Sequence, residues 1–446
     1  MAGLGEGPLL FTLLALAVIV VLARGAGDIA KRLGQPEVVG EFVVGFGLGP
    51  SVLGALLPGI HSALFLSQPV ALVLSGFAWI GAILLLFIAG LEVDIAILRA
   101  EVRPGALAAA LAIVPSVLAG IGFALVVLRR PLAYALFLGI VLSVTAVSVA
   151  AKILIEREVL RRRYAQVILA AGIASEVLVW LMVSVVSAAH ENSPALAIRS
   201  GIFALGFFLV MLTIGRRFVF WAMRRVADSS RATKGQFSLV IALMLFSAVL
   251  TQAMGLHPLL GAFVFGVLLS RAPRTNKPFV ESIQTVTSGF FAPIFFVLAG
   301  MRVDLSQVGG ASAIGVIALL LIVATLVKAG LGALGARLGG LERWEAALVG
   351  VGLNMKGGTD VIVAIVGVEL GLMTVRVYTL YAVVAILTVF LSPVALTYLA
   401  RHAPPTAGER DRLEREEASR RGYASRIERV LVPAVPQLLP ALASQV

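Results

Sequence analysis

Apolar stretches long enough to cross a bilayer follow one another along residues 8–400, and that succession dictates the fold. A span needs about 20 mainly apolar residues to cross roughly 30 Å of hydrocarbon. Such continuous runs satisfy their backbone as helices. Of the 446 residues, 60% are hydrophobic and 13% charged, against about a quarter charged in soluble domains. The class is an all-α polytopic membrane protein embedded in a lipid bilayer.

Hydropathy places thirteen spans near 8–24, 38–57, 69–91, 104–128, 132–155, 165–189, 197–221, 235–254, 257–271, 286–301, 311–335, 344–369 and 374–400. The N-terminus carries Glu6 and no basic residue before Arg24, so the first span is expected to stay in place rather than be cleaved as a signal peptide. Of the 36 Lys and Arg, 21 fall in connections after odd-numbered spans, 5 after even-numbered spans, 8 beyond Leu399, and two, Lys328 and Lys356, inside spans. The positive-inside rule then puts the N-terminus outside and the tail in the cytoplasm of a cell membrane. The net charge of +12 is a topology signal, and nucleic acid is not an expected partner.

Two internal matches lie seven spans apart. GEFVVG (Gly40 to Gly45) pairs with GAFVFG (Gly261 to Gly266), and AGLEVD (Ala89 to Asp94) with AGMRVD (Ala299 to Asp304). An odd offset reverses direction across the membrane. The pattern predicts two inverted-topology five-helix repeats, about 38–189 and 257–400, inside a transmembrane domain of residues 1–400. Inverted repeats place the site near the midplane on interrupted helices. The corresponding fifth and twelfth spans carry SVTAVS (Ser143 to Ser148) and GLNMKGGTD (Gly352 to Asp360), where hydroxyls and paired glycines weaken a helix. Asn354, Lys356 and Asp360 mark the second break, the two charges either serving function or neutralising half-helix ends.

An ionisable side chain at the bilayer centre costs about 2.5–3.5 kcal/mol on insertion scales, so each one marks a candidate site. Glu176 sits in LAAGIASEVLVWLM, too deep to reach an interface. A carboxyl removed from water there can be neutralised by a proton or by a bound cation, and the two compete for it. Lys328 lies in the eleventh span and is the expected charge partner of Glu176, although its stem could also snorkel. Glu41, Glu92, Asp94 and Asp304 stand at span ends and are read as solvated caps. The four histidines have no metal-like spacing, and the absence of cysteine excludes disulfides.

These motifs resemble the monovalent cation:proton antiporter superfamily, in its bacterial antiporter, Kef-type and plant cation/proton exchanger branches. Its second- and third-helix signatures are similar to RLGQPEVVGEFVVGFGLGPSVLG (Arg32 to Gly54) and ILLLFIAGLEVD (Ile83 to Asp94), and GLHPLLGAFVFGVLLSR (Gly255 to Arg271) is similar to the helix that opens its second repeat. The resemblance covers nearly all of 8–400. It implies a secondary active transporter, not an enzyme, working by alternating access as a homodimer in which a six-helix core moves against a dimerisation domain. It needs no cofactor beyond the transported Na⁺ or K⁺ and H⁺.

By the same resemblance, Glu176 takes the ion- and proton-carrier position, with Ser175, Thr145 and Ser143 expected to complete the oxygen site, and Lys328 matches the lysine paired with the family's acidic dyad. Ser175-Glu176 departs from that dyad by losing its first acid and lengthening its second. A single carboxylate favours electroneutral exchange, and Lys328 loses its usual partner. A gated potassium efflux pathway and a non-transporting sensor are the alternatives. Beyond Leu399, Arg401 to Arg429 is a polar tail, and RIERVLVPAVPQ (Arg426 to Gln437) resembles the first strand of a universal-stress-type domain that is not completed within 401–446.

Overall fold

The computed structural model describes residues 6–93, 101–156, 159, 162–191, 194–227, 232–272, 277–309 and 311–402. Among them every regular element is helical. The helices of ten residues or more are, in chain order, α1 (Glu6–Arg32), α2 (Glu37–Leu48), α3 (Gln68–Leu91), α4 (Val102–Val126), α5 (Leu132–Ser143), α6 (Val147–Glu156), α7 (Arg163–Glu191), α8 (Pro194–Val210) and α9 (Arg216–Ala227). They continue with α10 (Ala232–Ala253), α11 (Pro258–Leu269), α12 (Lys277–Val286), α13 (Ala292–Met301), α14 (Ala311–Leu338), α15 (Arg343–Leu353), α16 (Gly358–Glu369) and α17 (Val375–His402). One-turn π segments at Met211–Gly215 and Thr287–Phe291 join α8 to α9 and α12 to α13. The tail with its universal-stress-like stretch lies outside the described residues, as does Asp94.

Helices lie at all thirteen predicted positions. Among the described residues ten are long and apolar enough to cross a membrane, eleven when α15 and α16, bent by 43°, count as one. The fifth position holds α5 and α6, interrupted after Ser143 where the sequence predicts a break, and the ninth holds α11, whose 12 residues rise about 18 Å at 1.5 Å per residue.

The internal sequence matches become matching contacts. Gly300 of α13 lies against the Phe42 carbonyl of α2, and Gly45 of α2 against the Val297 carbonyl of α13. In the same way Gly90 of α3 lies against the Phe263 carbonyl of α11, and Gly266 of α11 against the Phe87 carbonyl of α3. A Cβ at any of the four would overlap backbone, so the helices approach this closely only through glycine. The first helix of each predicted repeat therefore packs on the second helix of the other. The correspondence extends to α5 and α15, where Gly139 meets the Val117 carbonyl of α4 and Gly350 the Ala329 carbonyl of α14. Gly34 and Gly255, at φ 72° and 74°, turn the chain into α2 and α11.

Contacts divide the bundle into two groups. Helices α1, α2, α3, α10, α11 and α13 pack on one another, and α4, α5, α7, α14 and α15 form the second group. Leu319, Ile322 and Leu326 of α14 are exposed, as a lipid-facing side requires. The most buried of the long spans contains α7, which carries Glu176.

Candidate ion site at the crossing of two broken helices

Between α5 and α6 the helix opens at Val144, Thr145 and Ala146, and between α15 and α16 it opens from Asn354 to Gly357. The two openings meet. The Thr145 hydroxyl donates to the Leu353 carbonyl at 2.9 Å, and the Ala146 N–H donates to the Met355 carbonyl at 3.0 Å. Backbone groups freed by one break are thus satisfied by the other, which is what lets non-helical chain persist inside a membrane.

Each break also leaves a half-helix end with partial charge. The α5 carbonyl end is met by the Lys356 ammonium, which donates to the Leu142 and Val144 carbonyls at 3.1 Å each. Lys328 also donates to the Val144 carbonyl. At the opposite sign, the Asp360 carboxylate caps α16, its Oδ1 accepting from the Gly357 N–H at 2.5 Å. The Tyr381 hydroxyl of α17 donates to Asp360 Oδ2 at 2.8 Å, and Lys356 Nζ lies 5.7 Å from the centroid of the same ring. Lys328, Lys356, Asp360 and Tyr381 are all buried.

Glu176 stands beside this crossing, 4% exposed. Its Oε1 accepts from the Thr359 hydroxyl at 3.0 Å, and Thr359 is the second residue of α16. Among the described ion pairs, none involves Glu176. The expected pairing with Lys328 is not formed, because Lys328 is bound to the Val144 carbonyl at the α5 end. Ser175, fully buried, donates to the Ala171 carbonyl at 2.7 Å, and Ser143 to the Ile140 carbonyl at 2.7 Å. Thr145 faces α7 one turn before Glu176, where a Cβ at Gly172 would lie 3.8 Å from its methyl. With their protons committed to carbonyls, the oxygens of Thr145, Ser175 and Ser143 keep lone pairs, the ligands hard cations use.

Asn354 is buried at the end of α15, and its carbonyl accepts from Ser392 at 3.4 Å. Thr359 and Tyr381 were not singled out in the sequence. Thr359 lies inside the quoted GLNMKGGTD, so a hydroxyl next to a helix break was a usable signal; Tyr381 has none. Of the acidic caps, Asp304 behaves as expected. Its carboxylate accepts from the Ser306 hydroxyl at 2.6 Å and N–H at 3.0 Å, and these bonds hold it below the usual carboxylate range. Glu92 is exposed, yet its carboxylate lies close enough for its charge to act on Glu176. Glu41 is the correction: at 5% exposure it is buried, because α1 and α13 cover the first turns of α2.

Comparison with known proteins places this geometry. The family model described as "Sodium/hydrogen exchanger, transmembrane" matches residues 14–402. The Na(+)/H(+) antiporter NhaS4 of Synechocystis is 28% identical, over 86% of this chain and 96% of that protein. The Na(+)/H(+)-K(+) antiporter GerN of Bacillus cereus is also 28% identical, over 86% and 95%. Cation/H(+) antiporter 18 of Arabidopsis thaliana is 29% identical over 87% of this chain, which spans about half, 49%, of that longer relative. Among solved structures, the sodium proton antiporter MjNhaP1 of Methanocaldococcus jannaschii superposes with a TM-score of 0.69 at 17% identity, covering 88% of this chain and 98% of that one. With a family model matched across nearly the whole helical bundle, the chain belongs to the transmembrane sodium/hydrogen exchanger family.

Proposed function

We propose that this protein exchanges protons for a monovalent cation, Na⁺ or K⁺, across a cell membrane by alternating access, with Glu176 as the group that carries either ion. Family membership supports the exchange, and one observation supports the residue. Glu176 is a buried carboxyl whose hydrogen-bond partner is a neutral hydroxyl, Thr359, and whose charged neighbour, Glu92, is itself acidic, while Lys328 and Lys356 are turned to helix-end carbonyls. Its charge is left for a proton or a metal ion to balance, and occupancy by one excludes the other. Thr145 and Ser175 supply further oxygens.

In this reading Lys356 and Asp360 hold the two half-helices and are not themselves carriers. Lys328 helps fix the α5 end. With one carboxylate, each cycle moves one proton against one cation, and exchange is electroneutral. The membrane domain comprises residues 1–400 with repeats at about 38–189 and 257–400, followed by a tail over 401–446. The distribution of Lys and Arg supports an outside N-terminus and a cytoplasmic tail. A homodimer follows from the family resemblance, and the two helix groups are the bodies that would move.

The test is proton flux in proteoliposomes under imposed Na⁺ or K⁺ gradients. Saturable proton movement driven by one of these cations is expected. Proton flux indifferent to both would overturn the exchange reading.

A further inference from the structure

Glu41 is the other carboxyl buried within the bundle whose surroundings the carrier model leaves unexplained. It lies one turn inside α2 and lines a cavity of about 320 Å³. Its lining includes Lys31 and Glu37, which are ion-paired and belong to the face proposed as cytoplasmic. It also includes Phe296 and Gly358, the latter the first residue of α16 and directly before Thr359. A Cβ on Gly358 would come 2.8 Å from the Phe296 ring, so the aromatic lies against the start of α16. The cavity is thus lined by α1, α2, α3 and α13 of the first helix group together with α6 and α16, the second halves of the two broken helices, and it reaches the residue next to the partner of Glu176.

The charges facing Glu41 are few. Arg24 and Lys31 approach from α1, and Glu37 from its own helix. Both cations are engaged by Glu37, and Arg24 also pairs with Asp28. The α3, α6 and α13 side chains lining the cavity, Leu85, Val149, Ala292 and Phe296, carry no charge. No hydrogen bond to the Glu41 carboxyl is found among the described residues. A nearly buried carboxyl that lines this cavity and has no hydrogen bond of its own is placed to receive an ion.

We propose that Glu41 is a second ion-handling carboxyl of the exchanger, which takes up the proton or monovalent cation from the rim marked by Lys31 and Glu37 and delivers it toward Glu176 through this crevice. The inference rests on Glu176 being the carrier. The test compares Glu41→Gln, Glu41→Asp and Glu176→Gln in proteoliposomes of defined orientation, with Na⁺ or K⁺ offered from either side. Glu41→Gln is expected to raise the cation concentration for half-maximal exchange about tenfold from the cytoplasmic side, leave it unchanged from the other side, and be partly rescued by Glu41→Asp.

A neutral result, or an equal effect from both sides, would overturn the proposal. Retained exchange in Glu176→Gln would instead remove the carrier assignment on which it rests. Should Glu41→Gln not fold, Ser288→Cys decides. Ser288 lines the same cavity and is exposed, and the chain has no other cysteine. A membrane-impermeant thiol reagent applied from the cytoplasmic side is expected to block exchange in that variant, and continued exchange after full labelling would exclude the crevice as the route.

Discussion

At the scale of single residues, the Thr359 hydroxyl is what the account asks most of after Glu176 itself. A hydrogen bond to a charged group contributes about 1.5–3 kcal/mol. Thr359→Val should therefore lower kcat/KM for the cation by roughly tenfold or more while the protein stays folded, as steady-state flux and a detergent melting curve would show. Unchanged flux would mean that Thr359 only packs against the carboxyl. Glu176 was legible in the sequence because no solvated position exists within a turn or two of it. Thr359 and Tyr381 were not legible as partners, since their hydrogen bonds join helices far apart in the chain. The Lys328 expectation failed for a related reason: a lysine inside a span announces that it needs a partner, but backbone carbonyls freed at a helix break are invisible in sequence and serve as well as a carboxylate.

At the scale of elements, the crossing of the broken helices depends on matched ends. Lys356→Met would remove the ammonium from the Leu142 carbonyl while Val144 keeps Lys328, at a cost of about 1–3 kcal/mol for a buried group left unsatisfied, and Asp360→Asn would weaken the α16 cap. Because both ends belong to one crossing, the double variant should lose less stability than the sum of the single losses. Thermal unfolding in detergent reads this directly, and strict additivity would contradict a shared structure. A gain is also available at Arg129, which holds φ at 50° in the connection from α4 to α5, the place that Gly340, at φ 95°, occupies between α14 and α15. Arg129→Gly should raise stability by about 1 kcal/mol, since a left-handed conformation strains a side chain that glycine lacks. Both breaks were readable from glycine and hydroxyl content.

At the scale of the molecule, two short sequence matches disclosed the architecture because close helix packing through glycine leaves little choice of residue at Gly45, Gly90, Gly266 and Gly300. The arrangement of those helices into two groups left no comparable trace, since apolar side chains serve lipid and protein contacts alike. Topology can be checked with the cysteine-free background. Cysteine at Arg224 should be labelled from the cytoplasmic side only and cysteine at Arg130 from the outside only, and the reverse pattern would invert the proposed orientation. One-for-one exchange predicts flux that does not respond to membrane potential, whereas a net charge moved per cycle would be worth about 2.3 kcal/mol per 100 mV. The most direct test of the account is cation-driven proton flux through Glu176→Gln, which keeps the side chain's size and its hydrogen-bonding capacity but can bind neither a proton nor a cation by charge. A folded protein with no exchange at any pH or cation concentration is expected; undiminished exchange would remove Glu176 as the carrier.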